Sequence, residues 1–262
     1  MRSDSTLSIM SKVIDRIQAK VTRAKQHIQN FRLALDAFRN TNPYRIEIKD
    51  DTQAGHCIYY VAKVDEVPDE LTAIAADVLK NLREPLDHIA YQLVLAARNG
   101  TAPDWRVYYP ITETAADYPA NRNRMIRGVR QEVIEAIDAS EPYKGGKGHG
   151  LWQLNALCKI DKHHLLVAAG SFLKGIEMTA GFPRQFPRIG MRLTMRPIVP
   201  LEVGHEVFRE AIHPEMNDQT RFTFDVSFNH PRIVEGEPAL NALQDMMNLV
   251  DGIIGQLGRF LS

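Results

Sequence analysis

The feature that most constrains the fold of this chain is an apolar repeat of helical period between Asp69 and Arg98. Its apolar side chains recur every three or four residues, which places them on one face of a single long helix. They are Leu71, Ile74, Ala75, Val78, Leu82, Leu86, Ile89 and Leu93. A helix with such a face needs other elements to cover it, so we expect it inside a helical bundle.

The same helix carries a polar cluster around an internal proline. Pro85 removes one backbone donor and leaves the carbonyl of Asn81 free, which costs stability unless something compensates. Four polar side chains surround this point, namely Arg83, Asp87, His88 and Tyr91. Charged groups clustered at an internal proline indicate a site, although they do not name a reaction.

The rest of the chain divides into further helices and a β-rich part. Helical periods predict helices over 5–40, 122–139, 151–167 and 238–261, in addition to 69–98. Alternating apolar residues predict a hairpin over 44–66 and a β-rich segment over 171–230, with strands at 172–179, 190–196, 205–212 and 220–228. The segment from Trp105 to Tyr109 reads as one short extended piece. We therefore expect an α+β protein with a helical bundle and an antiparallel β-sheet contributed by the hairpin and the C-terminal β-rich segment, in a single domain over 1–262.

The charge of the chain is balanced but unevenly spread. The formal net charge is zero, which removes the bulk electrostatic argument for nucleic-acid binding but leaves a local one. From Met1 to Arg45 there are nine Lys or Arg residues and three acids. The simplest interpretation of this excess is a solvated face of the first helix.

The cysteines and the hydropathy of the chain indicate its compartment. Cys57 and Cys158 form no disulfide framework and no zinc pattern, which fits a reducing cytoplasm. No signal-type apolar run opens the chain, and no run is long enough to cross a membrane. We expect a cytoplasmic protein without a cofactor and without a membrane partner.

A second polar cluster occupies the helix predicted over 151–167. Asp161 falls on the apolar stripe of that helix and is followed directly by Lys162, His163 and His164. A carboxylate on a buried face needs a charged or hydrogen-bonding partner. We therefore predict that this helix packs against the central helix, with Asp161 within reach of Arg83 or His88.

Four glycines lie in the short segment Gly145–Gly150, just before that helix. A glycine-rich loop that leads into a helix can cradle an anion. The spacing does not match a Walker A loop. Either a phosphate site or a plain flexible connection is compatible with the segment.

Arginine followed after four residues by histidine, as in Arg83 and His88, resembles the short motif of the HEPN superfamily. These are helical-bundle proteins that include ribonucleases and toxin components. The resemblance implies metal-independent cleavage of RNA, with Arg83 holding the phosphate and His88 moving protons. The candidate catalytic residues are Arg83, His88, Asp87, Asp161, Lys162 and His163. The Leu-Asp-His and Ile-Asp-Lys-His stretches also resemble a family of uncharacterised bacterial proteins, a resemblance that implies no activity.

The motif departs from the family because it lies inside one helix together with Pro85. On an ideal helix Arg83 and His88 point about 140° apart. They converge on one phosphate only if the helix bends or if a homodimer supplies one of the two residues. RNA and a second copy of the chain are thus the partners that this hypothesis implies.

Two other interpretations of the polar residues stay open. Asp87, His88, Asp161, His163 and His164 are types that bind metals in helical bundles, although no Glu-x-x-His spacing is present. Alternatively, Arg83, Asp87, Asp161 and Lys162 form a structural ion network, in which Arg83 and Asp87 make an i,i+4 pair. The chain would then act through a binding surface, without catalysis.

Overall fold

The computed structural model describes residues 4–164, 169–180, 189–193, 201–211, 219–230, 232–234 and 236–261. Its elements confirm the predicted α+β class. The helices are α1 (Asp4–Asn40), α2 (Asp69–Ala97), α3 (Tyr118–Met125), α4 (Gln131–Asp138), α5 (His149–His164) and α6 (Ala239–Gly258). The strands are β1 (Tyr44–Asp51), β2 (His56–Val64), β3 (Ala169–Ala180), β4 (Ile189–Leu193), β5 (Glu206–Ala211) and β6 (Gln219–Phe228).

The chain divides into two compact units. A helical unit contains Met1–Phe31, Thr72–Val167 and Leu240–Ser262, and a β-rich unit contains Arg32–Leu71 and Ala168–Ala239. The single domain expected over 1–262 stays a prediction.

Helix α2 forms the core of the helical unit, as its period predicts. Leu82, Leu86 and Ile89 are fully buried, and the helix continues through Pro85. It ends where Asn99 and Gly100 take positive φ angles of 51° and 83°, and the Gly100 N–H donates to a carbonyl in the last turn. The asparagine–glycine pair therefore ends this helix, because these residues tolerate the left-handed region.

Side-chain hydrogen bonds connect the helices of this unit. Lys20 on α1 pairs with Glu84 on α2, and Gln18 on α1 donates to Asp251 on α6 over 2.6 Å. Arg83 on α2 donates to Asn155 on α5 over 3.1 Å. The predicted packing of the central helix against the 151–167 helix is thus confirmed; residues 165–167 of that range lie outside the described residues.

The single helix predicted over 122–139 is wrong. Two short helices, α3 and α4, occupy this region, and the turn between them contains Gly128 at a φ of 88°. Pro119 sits in the first turn of α3, a position that suits a proline. Ile126 and Val129 lie in the turn between the two helices and are also buried. They continue the apolar helical spacing, so the sequence pattern does not show where α3 ends and α4 begins.

The short extended piece predicted from Trp105 to Tyr109 does not form a strand. The Tyr109 N–H instead donates to the Asp87 carboxylate over 2.9 Å. Its backbone is therefore satisfied by a side chain of α2.

The β-rich unit contains two three-stranded antiparallel sheets, in the orders β1-β2-β5 and β4-β3-β6. The hairpin predicted over 44–66 is confirmed, and it pairs with β5 from the C-terminal segment as expected. The second sheet is an addition to that prediction; residues 194–196 and 212 of the predicted strands lie outside the described residues. Tyr59, Val61, Leu201 and Val207 form a small core, against which Phe222 and Phe224 of β6 pack.

Among the described residues, no helix has the length and hydropathy needed to span a membrane.

Candidate functional site

Arg83 and Asp87 form the i,i+4 pair that their spacing predicts. The Arg83 Nη1 atom donates to the Asp87 Oδ1 atom over 2.6 Å. Arg83 Nε donates to Asn155 on α5, so one guanidinium group bonds to two helices. Only 15% of the Arg83 side chain and 29% of the Asp87 side chain are exposed. We call Arg83, Asp87, Asn155 and Tyr109 the polar junction.

Tyr109 connects the polar junction to α4. Its N–H donates to the same Asp87 oxygen that accepts from Arg83, and its hydroxyl lies 3.0 Å from Ser140 Oγ. The Ser140 hydroxyl donates in turn to the carbonyl of Ile137. Burial of the Tyr109 ring raises the pKa of its phenol well above the usual value, so this group stays protonated and neutral. The junction joins three chain segments, and its hydrogen bonds are already formed within the protein.

The other predicted site residues do not join this junction. His88 is exposed, and within the described part of the chain it forms no hydrogen bond or ion pair with Arg83. Asp161 is half-buried and bonds to neither Arg83 nor His88 among the described residues. Arg83 uses Asn155 instead, which precedes Asp161 by almost two helical turns.

Lys162, His163 and His164 are partly outside what the structure describes. Their backbone belongs to α5, but their side chains lie outside the described residues. Among the residues that are described, no group of three His, Cys, Asp or Glu side chains is arranged to hold a metal. The metal interpretation, which needs His163 or His164, stays a prediction.

The glycine-rich segment 145–150 forms a close-packed turn. An added Cβ at Gly146 would lie 2.5 Å from the Glu141 carbonyl oxygen, and one at Gly148 would lie 2.5 Å from the Ser140 carbonyl oxygen. The loop amides are occupied, because the Lys147 N–H donates to the Glu141 carboxylate and the Gly145 N–H donates to His149 Nδ1. The glycines therefore allow close approach of two backbone segments, and the amides that an anion would need are already used.

Three basic residues of α1 form ion pairs with acids on other elements. Besides the Lys20 pair, Lys25 bonds to Asp251 over 2.7 Å in the helical unit. Arg39 bonds to the buried Asp225 over 2.7 Å in the β-rich unit. Three of the nine basic residues between Met1 and Arg45 thus pair with an acid on another element.

A basic and aromatic cleft lies beside the C-terminal end of α2, and the sequence patterns did not single it out. The guanidinium carbons of Arg98 and Arg127 lie 5.0 and 4.1 Å from the centre of the Trp105 ring. The cleft has a volume of about 360 Å³. Its lining consists of Trp105, Arg106, Tyr108, Arg124, Met125 and Arg127.

The amino-acid composition of the segment around this cleft is basic. Between Arg98 and Arg130 the chain contains six arginines against three acids. The segment has no helical or alternating period, so pattern-based reading passes over it.

No family model, curated protein or solved structure matches this chain. The resemblance of Arg83 and His88 to the HEPN motif therefore stays a prediction.

Proposed function

We propose that this protein is a non-catalytic binding protein in which Arg83 and Asp87 have a structural role. The observation that carries the proposal is the double engagement of Arg83, which donates both to Asp87 and to Asn155. A guanidinium group that serves a phosphate in catalysis has to turn its donors toward the substrate. Here Nε donates to Asn155 on α5 and Nη1 donates to Asp87 on α2 itself.

The geometry of His88 supports the same proposal. A catalytic acid or base is usually held in position by a second group. His88 is exposed, and the described part of the chain provides no hydrogen-bond partner for it. Its direction on α2 differs from that of Arg83 by about 140° on an ideal helix.

The junction also positions a surface that could bind a ligand. Asp87 accepts from the Tyr109 N–H, and Arg98 lies over Trp105. Asp87 lies on α2, and Arg98 directly follows Ala97, the last residue of that helix. The segment from Trp105 to Tyr109 therefore contacts α2 at one end and the residue that follows α2 at the other. We infer that the role of the junction is to present this segment.

The deciding experiment is an RNA-cleavage assay in EDTA, combined with unfolding measurements. We compare the wild type with Arg83→Met and His88→Ala on a labelled single-stranded RNA, with a known ribonuclease as the positive control of the assay. We expect no cleavage by any of the three proteins. We also expect Arg83→Met to lose about 2–4 kcal/mol of stability, because it removes two bonds of a largely buried charged group. His88→Ala should stay within about 0.5 kcal/mol of the wild type.

The opposite result supports the ribonuclease. If the wild type cleaves RNA in EDTA and His88→Ala is folded but 10²- to 10⁴-fold slower, His88 is an acid–base catalyst and the binding proposal is overturned. That outcome would also favour a homodimer, since a second chain could bring an arginine beside His88. Sedimentation at several concentrations then tests the dimer directly.

A cytoplasmic location is part of the proposal. Within the described residues, neither Cys57 nor Cys158 forms a disulfide. Cysteines outside disulfides are typical of proteins that function in a reducing compartment. Fractionation of cells that express the protein tests this location.

A further inference from the structure

We propose that the cleft around Trp105 binds a nucleotide, through its phosphate groups and its base. The nucleotide can be free or part of a single strand. This inference deepens the proposed function, because it names the ligand class of the binding surface. It rests on that proposal only in treating binding as the role of the surface.

The first argument is the charge of the cleft. Arg106, Arg124 and Arg127 line the cleft, and the guanidinium group of Arg98 lies over the Trp105 ring at its edge. In the part of the chain that the structure describes, none of them forms an ion pair with a carboxylate. Arg98 donates to the Thr101 carbonyl and Arg124 to the Asn121 side chain, both of which are neutral partners. Four positive charges without carboxylates favour an anionic ligand with more than one negative oxygen.

The contrast with neighbouring arginines makes the arrangement specific. Arg122, on the same short helix as Arg124, pairs with Asp138, and Arg130 lies near Glu132. Arg83 pairs with Asp87. These three arginines therefore each have an acidic neighbour, whereas no carboxylate among the described residues pairs with Arg98, Arg106, Arg124 or Arg127.

The second argument is the aromatic surface. The guanidinium groups of Arg98 and Arg127 contact the Trp105 ring through cation–π interactions. These contacts position both groups beside the cleft. Tyr108 is 40% exposed and lines the same cleft, so its ring is available to a flat ligand. An exposed aromatic ring beside arginines is the combination on which nucleobases stack while phosphates are neutralised.

The third argument is an unsatisfied donor. The Trp105 Nε1 atom is buried and has no hydrogen-bond partner within the described part of the chain. Tryptophan N–H groups usually find a partner when they are buried. Because this atom has almost no accessible surface, the ring would have to shift slightly before a ligand oxygen could accept from it.

The size of the cleft agrees with this ligand class. A volume of about 360 Å³ lies near the lower end of the range for small-molecule sites. It suits one nucleotide unit, and the open rim allows a strand to continue from it.

The test is isothermal titration of the full chain with ATP, with a short oligo(deoxythymidine), with adenosine and with inorganic phosphate. The variants are Arg106→Gln and Arg127→Gln, and the matched control is Arg16→Gln, an exposed arginine of α1 that forms no ion pair among the described residues. We expect saturable binding of ATP, of the oligonucleotide or of both, and much weaker binding of adenosine and phosphate. Each cleft variant should weaken binding roughly tenfold, whereas Arg16→Gln should not change it.

The arms of the experiment separate the possible sources of the nucleotide. Binding of ATP alone assigns a free nucleotide, and binding of the oligonucleotide assigns a single strand. The proposal is overturned if neither binds, if adenosine binds as tightly as ATP, or if all three variants weaken binding equally. Both cleft arginines are exposed, so their replacement leaves the core intact, and circular dichroism checks this.

The two proposals can fail separately. Oligo(deoxythymidine) lacks the 2′-hydroxyl group, so its binding can be measured whether or not the protein cleaves RNA. A positive cleavage assay with His88 overturns the non-catalytic function but leaves the cleft titration unaffected. A negative titration removes the nucleotide site but leaves the structural role of Arg83 to the unfolding measurements.

Discussion

Replacing Asp87 by alanine tests whether the polar junction is structural. The Asp87 Oδ1 atom accepts two bonds, one from the Arg83 guanidinium over 2.6 Å and one from the Tyr109 N–H over 2.9 Å. A hydrogen bond to a charged group contributes about 1.5–3 kcal/mol, and the carboxylate is 29% exposed, which favours the low end of that range. We therefore expect Asp87→Ala to cost about 3 kcal/mol.

Two further variants make this expectation sharper. Asp87→Asn keeps an oxygen acceptor but loses the charge, so it should cost about 1 kcal/mol. Asp77→Ala is the control, because Asp77 is an exposed aspartate on the same helix whose side chain forms no ion pair in the described residues. It should stay within about 0.5 kcal/mol of the wild type.

Urea unfolding and hydrogen exchange measure these effects. Unfolding gives the change in free energy, and exchange reports the Tyr109 amide itself, which should lose protection in Asp87→Ala but not in Asp77→Ala. The double variant Arg83→Met/Asp87→Ala should show a coupling energy of at least about 1 kcal/mol. If Asp87→Ala and Asp77→Ala are equally stable, the junction has no structural role and the reasoning is refuted.

Further predictions concern pH and the glycine turn. Burial raises the pKa of Tyr109 and Tyr118, so both stay protonated in the fold above pH of about 10, where unfolded tyrosines ionise. Above that pH the free energy of unfolding should fall by about 1.4 kcal/mol per pH unit for each tyrosine. In urea unfolding, Tyr118→Phe should reduce this slope by the contribution of one tyrosine. An unchanged slope would contradict the prediction. Gly148→Ala should lower stability by about 2–3 kcal/mol, because its Cβ would meet the Ser140 carbonyl oxygen. Gly252 is an exposed helical position with no atom within 4 Å of an added Cβ. Gly252→Ala should therefore raise the free energy of unfolding by about 0.8 kcal/mol in thermal unfolding. Equal effects of the two changes would refute the packing argument.

Local signals in the sequence predict the helices well where start and stop residues frame them. The central helix is an example, because Pro68 precedes its first residue and Asn99-Gly100 ends it. The region 122–139 is the counterexample. Gly128 marked the turn, but the apolar residues on both sides kept a helical spacing, so periodicity favoured one helix over two.

The site is only half readable from the sequence for a similar reason. The Arg83–Asp87 pair follows from i,i+4 spacing on one helix. Asn155 lies 72 residues from Arg83, and Tyr109 lies 22 residues from Asp87. Such partners meet only through tertiary packing, so the local periodicity of the sequence cannot predict them. Arg83 and Asp87 thus pair as their spacing predicts, and Asn155 rather than Asp161 bonds to Arg83, whereas the structural interpretation of the network stays a prediction.

The neutral net charge of the chain conceals an uneven distribution once the fold is known. Part of the basic excess of α1 pairs with acids, as Lys20 does with Glu84 and Lys25 with Asp251, and these pairs contribute less field to an approaching ligand than unpaired charges do. Arg122 pairs with Asp138. The other arginines between 98 and 127 have no carboxylate partner among the described residues, so their positive charge is not offset. Counting charges along the sequence points to the first helix, whereas the fold also brings arginines without an acidic partner among the described residues together around one aromatic ring, that of Trp105. An anionic partner responds to such a group of arginines, since only unpaired charge close to a binding surface steers and holds it.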